Sequence, residues 1–464
     1  MRTIYQLEQV PSSVFRAYDI RGIVNSQFNE NSFYSIGRAI SYRLQSLNRS
    51  SIFLARDGRL TSDSLSNALK QGLLDSGINV LDLGTVATPV MYFATCTGSV
   101  DSGLMVTGSH NPAEYNGIKI VLAGTTLANT DIDILYQLNQ RLVTVEGCGQ
   151  VKAYDITEHY IERIINDIQL NRSLKVVIDC GNGIGGTIIP SVIQRLGCEV
   201  IPLYCDVDGR FPNHHPDPTI EANLADLKAA VAIHQADIGL AFDGDADRLG
   251  VVTDEGELIW PDRLMMLYAR HLLKTNPGET IVCDVKCSNH LTAVIEQAGG
   301  RVVMCPTGHS IVKKVMKEER AILAGEMSGH LFFKDRWYGF DDALYSACRL
   351  LEILSHSEQS VSQQFNHTPN GINTPEIKIA IADEEKFGFM ERFCASAKFA
   401  NARLIDIDGL RVEFEQGWGL VRASNTTPCL VARFEASDYL ALEQIKELFK
   451  NELLAVDQLL SIPF

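Results

Sequence analysis

Three aspartates, Asp243, Asp245 and Asp247, alternate along the segment FDGDADR, directly after the apolar run IGLAF. Carboxylates this close repel one another, and a divalent cation that prefers hard oxygen ligands, such as Mg²⁺, would relieve the repulsion. An EF-hand is disfavoured because Arg248 stands where such a loop needs glycine, and because a strand precedes the loop. The alternative is a solvated acidic turn.

A second loop, VTGSHNPAEYNGIK, places Ser109 among turn-forming residues, with Lys119 close in sequence. A serine hydroxyl near Mg²⁺ can carry a phosphoryl group, because the metal neutralises the charge of that group. The chain has no Gly-x-Ser-x-Gly elbow, which disfavours hydrolase chemistry. Taken alone, the loop favours a turn hydroxyl over a nucleophile.

Two further loops carry groups suited to sugars and phosphates. GEMSGH contains Glu326, Ser328 and His330, which could contact vicinal sugar hydroxyls and act as an acid or base near neutral pH. RASNTTP begins with Arg422, whose guanidinium and the hydroxyls and amide after it form a plausible phosphate cradle. A capped turn and a polar β-turn are the respective alternatives.

An internal repeat must position the first three loops. A strand, an amphipathic stretch and a second strand recur at residues 51–84, 174–204 and 280–306, and each unit precedes another apolar strand that leads into one loop. The periodicity predicts βαβ units. Because chemistry collects beyond the carboxyl ends of strands in such sheets, we expect the three loops at equivalent positions.

The length of 464 residues requires several domains. We predict three similar mixed α/β domains, each with a βαβ-based sheet between helices, plus a smaller C-terminal α+β domain. The predicted domains are 1–150 with the serine loop, 151–255 with the aspartate loop, 256–367 with the sugar-binding loop, and 368–464 with the phosphate-binding loop. The polar stretch 355–371 is predicted to be a linker.

Charge and composition exclude several classes of partner. A net charge of −16 argues against nucleic acid and anionic membranes, though not against small phosphorylated molecules. No apolar run reaches membrane-spanning length, and the N-terminus lacks a hydrophobic signal core. The eleven cysteines are scattered, which favours reduced thiols in a cytoplasmic protein.

Two motifs support other interpretations. GNGIGG, residues 181–186, fits a dinucleotide fingerprint and would make the chain an NAD(P)-linked oxidoreductase. Glu199, however, precedes the next strand, whereas a ribose-binding acid should follow it. His214 and His215 could ligate a metal, but adjacent histidines in a proline-rich loop favour a structural role. A non-enzymatic sugar-phosphate-binding protein is a third possibility.

In their order along the chain, these loops resemble those of the α-D-phosphohexomutases, and among them the bacterial bifunctional type that acts on mannose and glucose phosphates. The segments that carry the resemblance are FRAYDIRG, TGSHNP, NGIK, DGDADR, DVKC, TGHS, GEMSGH and RASNTTP. They span essentially the whole chain.

The resemblance implies a heart-shaped monomer whose four domains are arranged around a central cleft. It also implies that the chain reversibly interconverts hexose 1-phosphate and hexose 6-phosphate, its small-molecule partners. It implies that Ser109 is carried as phosphoserine and that glucose or mannose 1,6-bisphosphate is the intermediate and activator. Mg²⁺ would be held by the Ser109 phosphate together with Asp243, Asp245 and Asp247. A mobile fourth domain would open for exchange and close over the substrate.

The resemblance also implies the roles of the other site residues. Glu326 and Ser328 match the pair that reads the sugar 3- and 4-hydroxyls. The clamp on the non-reacting phosphate would comprise Arg422, Ser424, Asn425, Thr426 and Thr427. The cleft positions that contact substrate or assist proton transfer are Tyr18, Arg21, Lys119, Arg248, Lys286, His309 and His330, of which Lys119, Arg248 and His330 join Ser109 as catalytic candidates.

Three places in the sequence either depart from the family pattern or vary within the family. Ala246 stands where relatives have glycine, and if that position needs positive φ the alanine costs on the order of 1 kcal/mol. Asn289 and His290 stand where relatives often carry arginines, so they are poor candidates for site residues. Met327 resembles the glucose/mannose type, whereas glutamine there would resemble the glucosamine-phosphate enzymes.

Overall fold

The computed structural model describes residues 4–425 and 427–464. The first domain begins with a short 3-10 helix, Ser12–Val14. Its strands are β1 (Ile20–Ile23), β2 (Ser51–Arg56), β3 (Asn79–Thr85), β4 (Gly103–Val106), β5 (Tyr115–Leu122), β6 (Thr125–Thr126) and β7 (Val151–Ala153). Its helices are α1 (Glu30–Ser46), α2 (Ser62–Asp75), α3 (Thr88–Thr97) and α4 (Thr130–Gln140). The sheet order is β1-β5-β4-β2-β3-β7, with β6 beside β5.

The second domain contains a five-stranded sheet. Its strands are β8 (Lys175–Asp179), β9 (Glu199–Leu203), β10 (Ile238–Phe242), β11 (Leu249–Thr253) and β12 (Leu258–Ile259). Its helices are α5 (Thr157–Asp167), α6 (Ile189–Arg195) and α7 (Ala225–His234), with 3-10 turns at Ile184–Thr187 and Glu221–Leu224. The sheet order is β12-β11-β10-β8-β9.

The third domain contains a four-stranded sheet. Its strands are β13 (Thr280–Asp284), β14 (Arg301–Cys305), β15 (Leu323–Gly325) and β16 (Leu331–Phe333). Its helices are α8 (Pro261–Thr275), α9 (Asn289–Gln297), α10 (His309–Glu318), α11 (Ala343–Ser355) and α12 (Val361–Phe365). The sheet order is β14-β13-β15-β16.

The centres of these three sheets share one topology. The first strand of each repeat pairs in parallel with two neighbours: β2 with β3 and β4, β8 with β9 and β10, and β13 with β14 and β15. An antiparallel strand, β5, β11 or β16, then leaves the loop. The predicted βαβ repeat is confirmed, and its apolar strands are buried because helices cover both sheet faces.

The fourth domain is the predicted α+β unit. Its strands are β17 (Ile372–Asn373), β18 (Ile377–Ala380), β19 (Arg403–Ile405), β20 (Leu410–Phe414), β21 (Gly417–Ala423) and β22 (Cys429–Ala436). Its helices are α13 (Lys386–Ser396) and α14 (Tyr439–Val456). The sheet runs β17-β22-β21-β20-β19, with β18 also beside β22.

The polar stretch 355–371 is not a linker, so that prediction is wrong. A capping box formed by Ser360 and Gln363 starts α12. Val361 and Phe365 are buried in a core shared with the first three domains. Four residues apart, they lie on one helix face, so two apolar residues are enough to anchor the segment.

The sheets extend slightly beyond the predicted domain limits. β7 follows residue 150 but pairs with β3 of the first sheet, and β12 follows residue 255 but pairs with β11 of the second. The limits themselves stay predictions. None of the helices in the described part of the chain combines the length and apolar character that crossing a membrane requires.

Candidate active site

Three loops from three domains are in contact. We call residues 107–114 the serine loop, 243–248 the aspartate loop and 326–330 the glutamate loop; they join β4 to β5, β10 to β11 and β15 to β16. The Ser109 hydroxyl donates to Asp243 Oδ2 at 3.0 Å. His330 Nε2 lies 3.2 Å from Asp247 Oδ1. The equivalent strand ends therefore meet at one place.

Ser109 is held in an unusual conformation within the serine loop. Its φ is +49°, in the left-handed region, and its amide donates to Thr107 Oγ1 at 2.8 Å. The residue is buried. His110 Nδ1 lies 3.3 Å from Ser109 Oγ, and burial, reinforced by Arg248, lowers the pKa of His110 well below its usual range. A neutral imidazole and a carboxylate thus flank the hydroxyl.

The aspartate loop gathers three fully buried carboxylates. One oxygen from each of Asp243, Asp245 and Asp247 lies within 4.8 Å of the others. The Oδ1 atom of Asp245 is buried without a hydrogen-bond donor in the described part of the chain, whereas Asp247 Oδ1 faces His330 Nε2 at 3.2 Å. Burial and the two neighbouring carboxylates raise the pKa of Asp243 well above its usual value. Three buried carboxyl groups, all of them hard ligands and one with an oxygen that has no donor, fit a divalent cation.

Lys119 supplies a fixed positive charge beside these carboxylates. Its Nζ lies 2.7 Å from Asp245 Oδ2 and also contacts Asp247 Oδ2. Burial opposes its charge, but Asp245 and Asp247 outweigh burial and raise the pKa of Lys119 above its usual range. The lysine is therefore ionised at neutral pH. Thr88, at the start of α3, donates to the same oxygen of Asp245 at 2.6 Å.

Ala246 adopts a φ of +63°, so this position of the aspartate loop does require the left-handed region. The side chain is almost fully buried. An L-residue with a Cβ pays a steric penalty there that glycine would avoid. The loop keeps its three aspartates in contact despite that penalty.

The GNGIGG segment supports the aspartate loop through its backbone. The amide of Ile184 donates to the Gly244 carbonyl at 3.1 Å, and a Cβ on Gly183 would lie 2.8 Å from the same oxygen. A Cβ on Gly186 would lie 1.9 Å from the Cys205 carbonyl oxygen. Close packing explains these glycines, so the motif no longer favours a dinucleotide site.

The histidine pair serves the same domain. His214 Nε2 lies 3.0 Å from Asp179 Oδ2, and its Nδ1 lies 3.0 Å from the carbonyl oxygen of His215. Asp179 is the last residue of β8. With both ring nitrogens engaged, His214 ties the loop to the end of the strand, as the structural alternative predicts.

His330 is fixed between carboxylates from two domains. Its Nδ1 lies 3.0 Å from Glu326 Oε2 and 3.0 Å from Ser328 Oγ, and Asp247 faces Nε2. Burial disfavours the imidazolium, but Asp247 and Glu326 outweigh it and raise the pKa of His330 to about 9. Glu326 is itself held by the Gly308 amide, which donates to Oε1 at 2.7 Å.

A row of rings and cations surrounds His330. Tyr18 meets His309 edge-on at 5.1 Å between ring centroids, and His309 stacks on His330 at 5.5 Å. Arg248 Nε lies 3.3 Å from His330 Nε2. Asp341 Oδ2 lies 3.2 Å from His309 Nδ1, but burial is the larger influence and lowers the pKa of His309. His309 and His330 therefore differ in charge at neutral pH.

Arg21 and Lys286 border the site on separate elements. Arg21, in β1, donates to Asn111 Oδ1 and Asp19 Oδ2, each at 2.5 Å. Lys286 Nζ donates to Glu376 Oε1 of the fourth domain at 2.7 Å. Burial opposes the charge of Lys286, but Glu376 outweighs it and keeps the pKa above its usual range.

Arg422 leads the candidate phosphate clamp in the fourth domain. It is buried, and its Nε donates to Asp408 Oδ2 at 2.8 Å. Its Nη2 is buried with no hydrogen-bond acceptor among the described residues. Asp408 Oδ2 also accepts from the Thr307 amide at 3.0 Å, so it bridges the third and fourth domains. A buried guanidinium nitrogen with a free direction fits an oxyanion.

The other predicted clamp residues follow Arg422 in the sequence. Ser424 Oγ lies 2.7 Å from Thr427 Oγ1, which closes a tight turn of hydroxyls. Asn425 is partly exposed. Thr426, the fifth predicted member, lies outside the described residues.

Comparison with known proteins decides the family. Family models of the phosphoglucomutase/phosphomannomutase alpha/beta/alpha domains I, II and III match residues 12–142, 158–256 and 260–370, and the model of the C-terminal domain matches 376–452. A phosphomannomutase/phosphoglucomutase of Pseudomonas putida is 52% identical over 456 residues, 98% of each chain. This chain belongs to the phosphoglucomutase/phosphomannomutase family.

Other family members agree over the same length. A phosphoglucomutase of Neisseria meningitidis is 48% identical over 448 residues, 96% of this chain and 97% of the relative. The crystal structure of a phosphoglucomutase/phosphomannomutase family protein from Burkholderia thailandensis superimposes with a TM-score of 0.94 at 44% identity, covering 99% of this chain and 100% of the other. The family assignment thus covers all four domains.

Sequence reasoning missed several residues of this family site. Asp57 and Arg59 follow β2 and hold the serine loop, and their position after the carboxyl end of a strand is a signal that could have found them. His110 lay inside a motif already singled out. Thr88 carries no such signal, because only the packing of the first domain against the second brings it to Asp245. Asp341 carries none either, because the fold of the third domain brings it to His309 from 32 positions further along the chain.

Proposed function

We propose that the chain is a phosphohexomutase, an isomerase that interconverts the 1-phosphates and 6-phosphates of mannose and glucose with Ser109 as phosphoryl carrier. The observation that carries the proposal is the 3.0 Å contact between the buried Ser109 hydroxyl and Asp243, inside a cluster of aspartates and Lys119. A hydroxyl becomes a useful nucleophile when charge is arranged around it in this way. The names of the related enzymes support the same chemistry.

Asp243, Asp245 and Asp247, with a phosphoryl oxygen on Ser109, are the groups that would hold Mg²⁺. Bound there, Mg²⁺ would offset the negative charge of the phosphoryl group during transfer. Lys119 would stay beside the same carboxylates, and the Oδ1 atom of Asp245, which has no donor among the described residues, would gain a partner.

The reaction divides into two balanced halves. First, the bond between phosphorus and Ser109 Oγ breaks while a bond to the free O1 or O6 hydroxyl of the hexose monophosphate forms, which yields the 1,6-bisphosphate. The sugar hydroxyl loses a proton and Oγ gains one. After the bisphosphate turns over within the cleft, its other phosphoryl group returns to Oγ. This bisphosphate would also activate dephosphorylated enzyme.

The groups that could move a proton fall into two sets, cationic and neutral, according to the direction in which their pKa values are shifted. Lys119 and Arg248 are cationic at neutral pH, as is His330 with its pKa of about 9, so they donate hydrogen bonds and stabilise charge. His110 and His309 have lowered pKa values and are neutral. We assign to His110, which lies 3.3 Å from Ser109 Oγ, the proton that Oγ releases when the phosphoryl group returns and regains when that group leaves. We assign to His309 the proton that the sugar hydroxyl releases in the first half and that the other sugar oxygen regains in the second.

The remaining residues would bind the sugar in either orientation. Glu326 and Ser328 would read the 3- and 4-hydroxyls, which lie midway between C1 and C6. The non-reacting phosphate would be held by Arg422, Ser424, Asn425, Thr426 and Thr427. Tyr18, Arg21 and Lys286 would complete the cleft wall. Contacts that ignore C1, C2 and C6 permit both orientations and both sugars.

Replacing the carrier tests the proposal. Ser109→Ala should lose nearly all interconversion of glucose 1-phosphate and mannose 1-phosphate with their 6-phosphates, because no covalent carrier remains. Ser41→Ala, at a buried serine whose hydroxyl donates to the Gly37 carbonyl within α1, is the matched control and should keep its activity. Full activity of Ser109→Ala would refute the proposed function.

The sugar preference has its own test. Met327 favours mannose and glucose phosphates over glucosamine phosphate, so kcat/KM for the first two 1-phosphates should exceed that for glucosamine 1-phosphate. A side-by-side assay of the three sugars measures this. Comparable or faster turnover of glucosamine 1-phosphate would overturn the assignment.

We further infer a monomer that works in the cytoplasm. All four candidate loops come from one chain, so the proposed site is complete without a second copy. All eleven cysteines are free thiols, in keeping with a reducing compartment. Size-exclusion chromatography with light scattering tests the monomer.

A further inference from the structure

The buried guanidinium group of Arg59 donates hydrogen bonds to backbone carbonyls along the serine loop. Arg59 Nη2 donates to the carbonyl oxygens of Ser109 at 2.7 Å and Asn111 at 2.5 Å. Arg59 Nη1 donates to those of Pro112 at 2.6 Å and Tyr115 at 3.0 Å. These four acceptors lie within seven consecutive residues, and Arg59 is only 4% exposed. A single side chain thus fixes the course of the loop.

Arg59 is itself held from two domains. Its amide donates to Asp57 Oδ1 at 3.0 Å, and its Nε lies 3.3 Å from Asp57 Oδ2. The ring of Phe211, from the second domain, faces the guanidinium at 5.0 Å. Asp57 Oδ2 also accepts from Thr107 Oγ1 at 2.7 Å, so the pair braces both the start and the interior of the loop. These contacts with Asp57 and Phe211 hold the guanidinium group in place.

The contacts of Arg59 and Asp57 with the serine loop matter most at Ser109, because this residue occupies the left-handed region of backbone conformation. A serine there is sterically strained, so the surrounding structure must impose the conformation. The Ser109 carbonyl lies between Arg59 and the aspartate loop, where a Cβ on Gly244 would come within 2.4 Å of its oxygen. Fixing this peptide group fixes the direction of Oγ toward Asp243.

We infer that Arg59 is a positioning residue for phosphoryl transfer at Ser109. It acts through the loop backbone, so Oγ keeps one direction whether or not it carries a phosphoryl group. Lysine cannot replace it, because an ammonium group lacks the planar fork that reaches several carbonyls at fixed angles. The inference rests on the proposed function, since it assigns Arg59 a part in that reaction.

The test compares Arg59→Lys with Arg38→Lys in the mutase assay. Arg38, on α1, is an equally buried arginine of the same domain, and it pairs with Glu146 away from the serine loop. Arg59→Lys should lower kcat about 100-fold while KM for the hexose phosphate changes little, because misplacing a reacting group by about 1 Å costs that much. Arg38→Lys should keep its kcat.

Chemical rescue separates positioning from stability. Arg59→Ala should be phosphorylated slowly at Ser109 by glucose 1,6-bisphosphate, measured by intact mass, and added guanidinium chloride at non-denaturing concentration should accelerate the reaction, whereas ammonium chloride should not. A kcat of Arg59→Lys close to wild type, or equal responses to both salts, would overturn the inference. If the wild-type chain itself lacks mutase activity, the proposed function fails instead.

Discussion

Charge balance around the three buried aspartates depends on one buried lysine. Lys119 contacts Asp245 and Asp247, and these contacts keep the pKa of both carboxyls below their usual value despite burial. Asp243 lacks such a partner, and its pKa is raised. The protein therefore holds two carboxylates ionised by itself, and a bound divalent cation would favour ionisation of the third.

Removing the lysine should make the fold depend on metal. Lys119→Met leaves Asp245 without its cationic partner and Asp247 with His330 alone, which should cost about 3–5 kcal/mol of unfolding free energy when metal is chelated. Mg²⁺ should then raise the melting temperature of the variant more than that of wild type. Lys70→Met, at a partly exposed pair with Asp82, is the control. An Mg²⁺ shift equal to that of wild type would contradict this charge balance.

Ala246 offers a second test of the aspartate loop. Ala246→Gly removes a left-handed penalty of about 1–2 kcal/mol and a buried methyl group worth about 0.8 kcal/mol, so stability should change by less than about 1 kcal/mol. Ala241→Gly, at a buried position within β10, should lose about 1–2 kcal/mol. Denaturant unfolding compares them, and equal losses in both variants would show that Ala246 is not strained.

Single residues were predictable from sequence where type and spacing coincide. The aspartate triad shows this, because alternation after an apolar strand already suggests a metal. The position of Arg59 after β2 marks it as a candidate site residue, but its role was not predictable, because its partners are backbone carbonyls about 50 positions further along the chain. Every residue has a backbone carbonyl, so the residue types do not show which carbonyls will accept a hydrogen bond.

Among the secondary-structure elements, the three βαβ repeats were predictable because helix and strand periods differ. Segment 355–371 was not, because its polar composition hides Val361 and Phe365, whose four-residue spacing anchors α12. The Ser362 hydroxyl adds a 2.8 Å bond to Asp254 of the second domain. Two apolar residues in a polar stretch give too weak a period to detect.

The anchoring of α12 predicts a large effect at Phe365. Phe365→Ala should lower the unfolding free energy by about 3–5 kcal/mol, because a fully buried aromatic ring is removed from the core. Phe387→Ala removes a ring that is 54% exposed and should cost far less. Denaturant titration distinguishes the two. Similar small losses would restore the interpretation of this stretch as a linker.

Over the whole molecule, domain packing creates contacts that no local pattern foretells. Phe93 of the first domain stacks on Trp337 of the third at 6.0 Å between centroids. In the fourth domain, Arg411 covers Trp418 at 3.8 Å and donates to the Val285 carbonyl at 2.6 Å. The meeting of the loops depends on such contacts, so the shared cleft was predictable from the family resemblance and not from local sequence.

The junction of the second and third domains should respond to pH through Asp342. This buried carboxyl accepts from the Tyr160 hydroxyl at 2.9 Å, and burial raises its pKa to about 7. A carboxyl that holds its proton more tightly when folded stabilises the fold at low pH and loses that contribution as pH rises through about 7. Asp342→Asn stays neutral, so its stability relative to wild type should increase by up to about 4 kcal/mol between about pH 4 and pH 7.

Asp341 provides a control of opposite sign. Burial opposes its charge, but Lys313 and His309 outweigh burial and hold the pKa of Asp341 well below its usual range. Asp341→Asn should therefore lose stability relative to wild type as pH rises toward about 4, and the difference should stay constant above that pH. Melting temperatures measured from below about pH 4 to about pH 7 test both variants. A flat difference for Asp342→Asn would contradict the raised pKa.

The central claim is that Ser109 carries the phosphoryl group, and the mass of the chain tests it most directly. Dephosphorylated enzyme incubated with glucose 1,6-bisphosphate should gain one phosphoryl group, located at Ser109 by peptide mapping, with release of an equal amount of glucose monophosphate. Glucose 1-phosphate should then remove that group and regenerate the bisphosphate. Interconversion that proceeds with Ser109 unmodified, or with the phosphoryl group on another residue, would contradict the account.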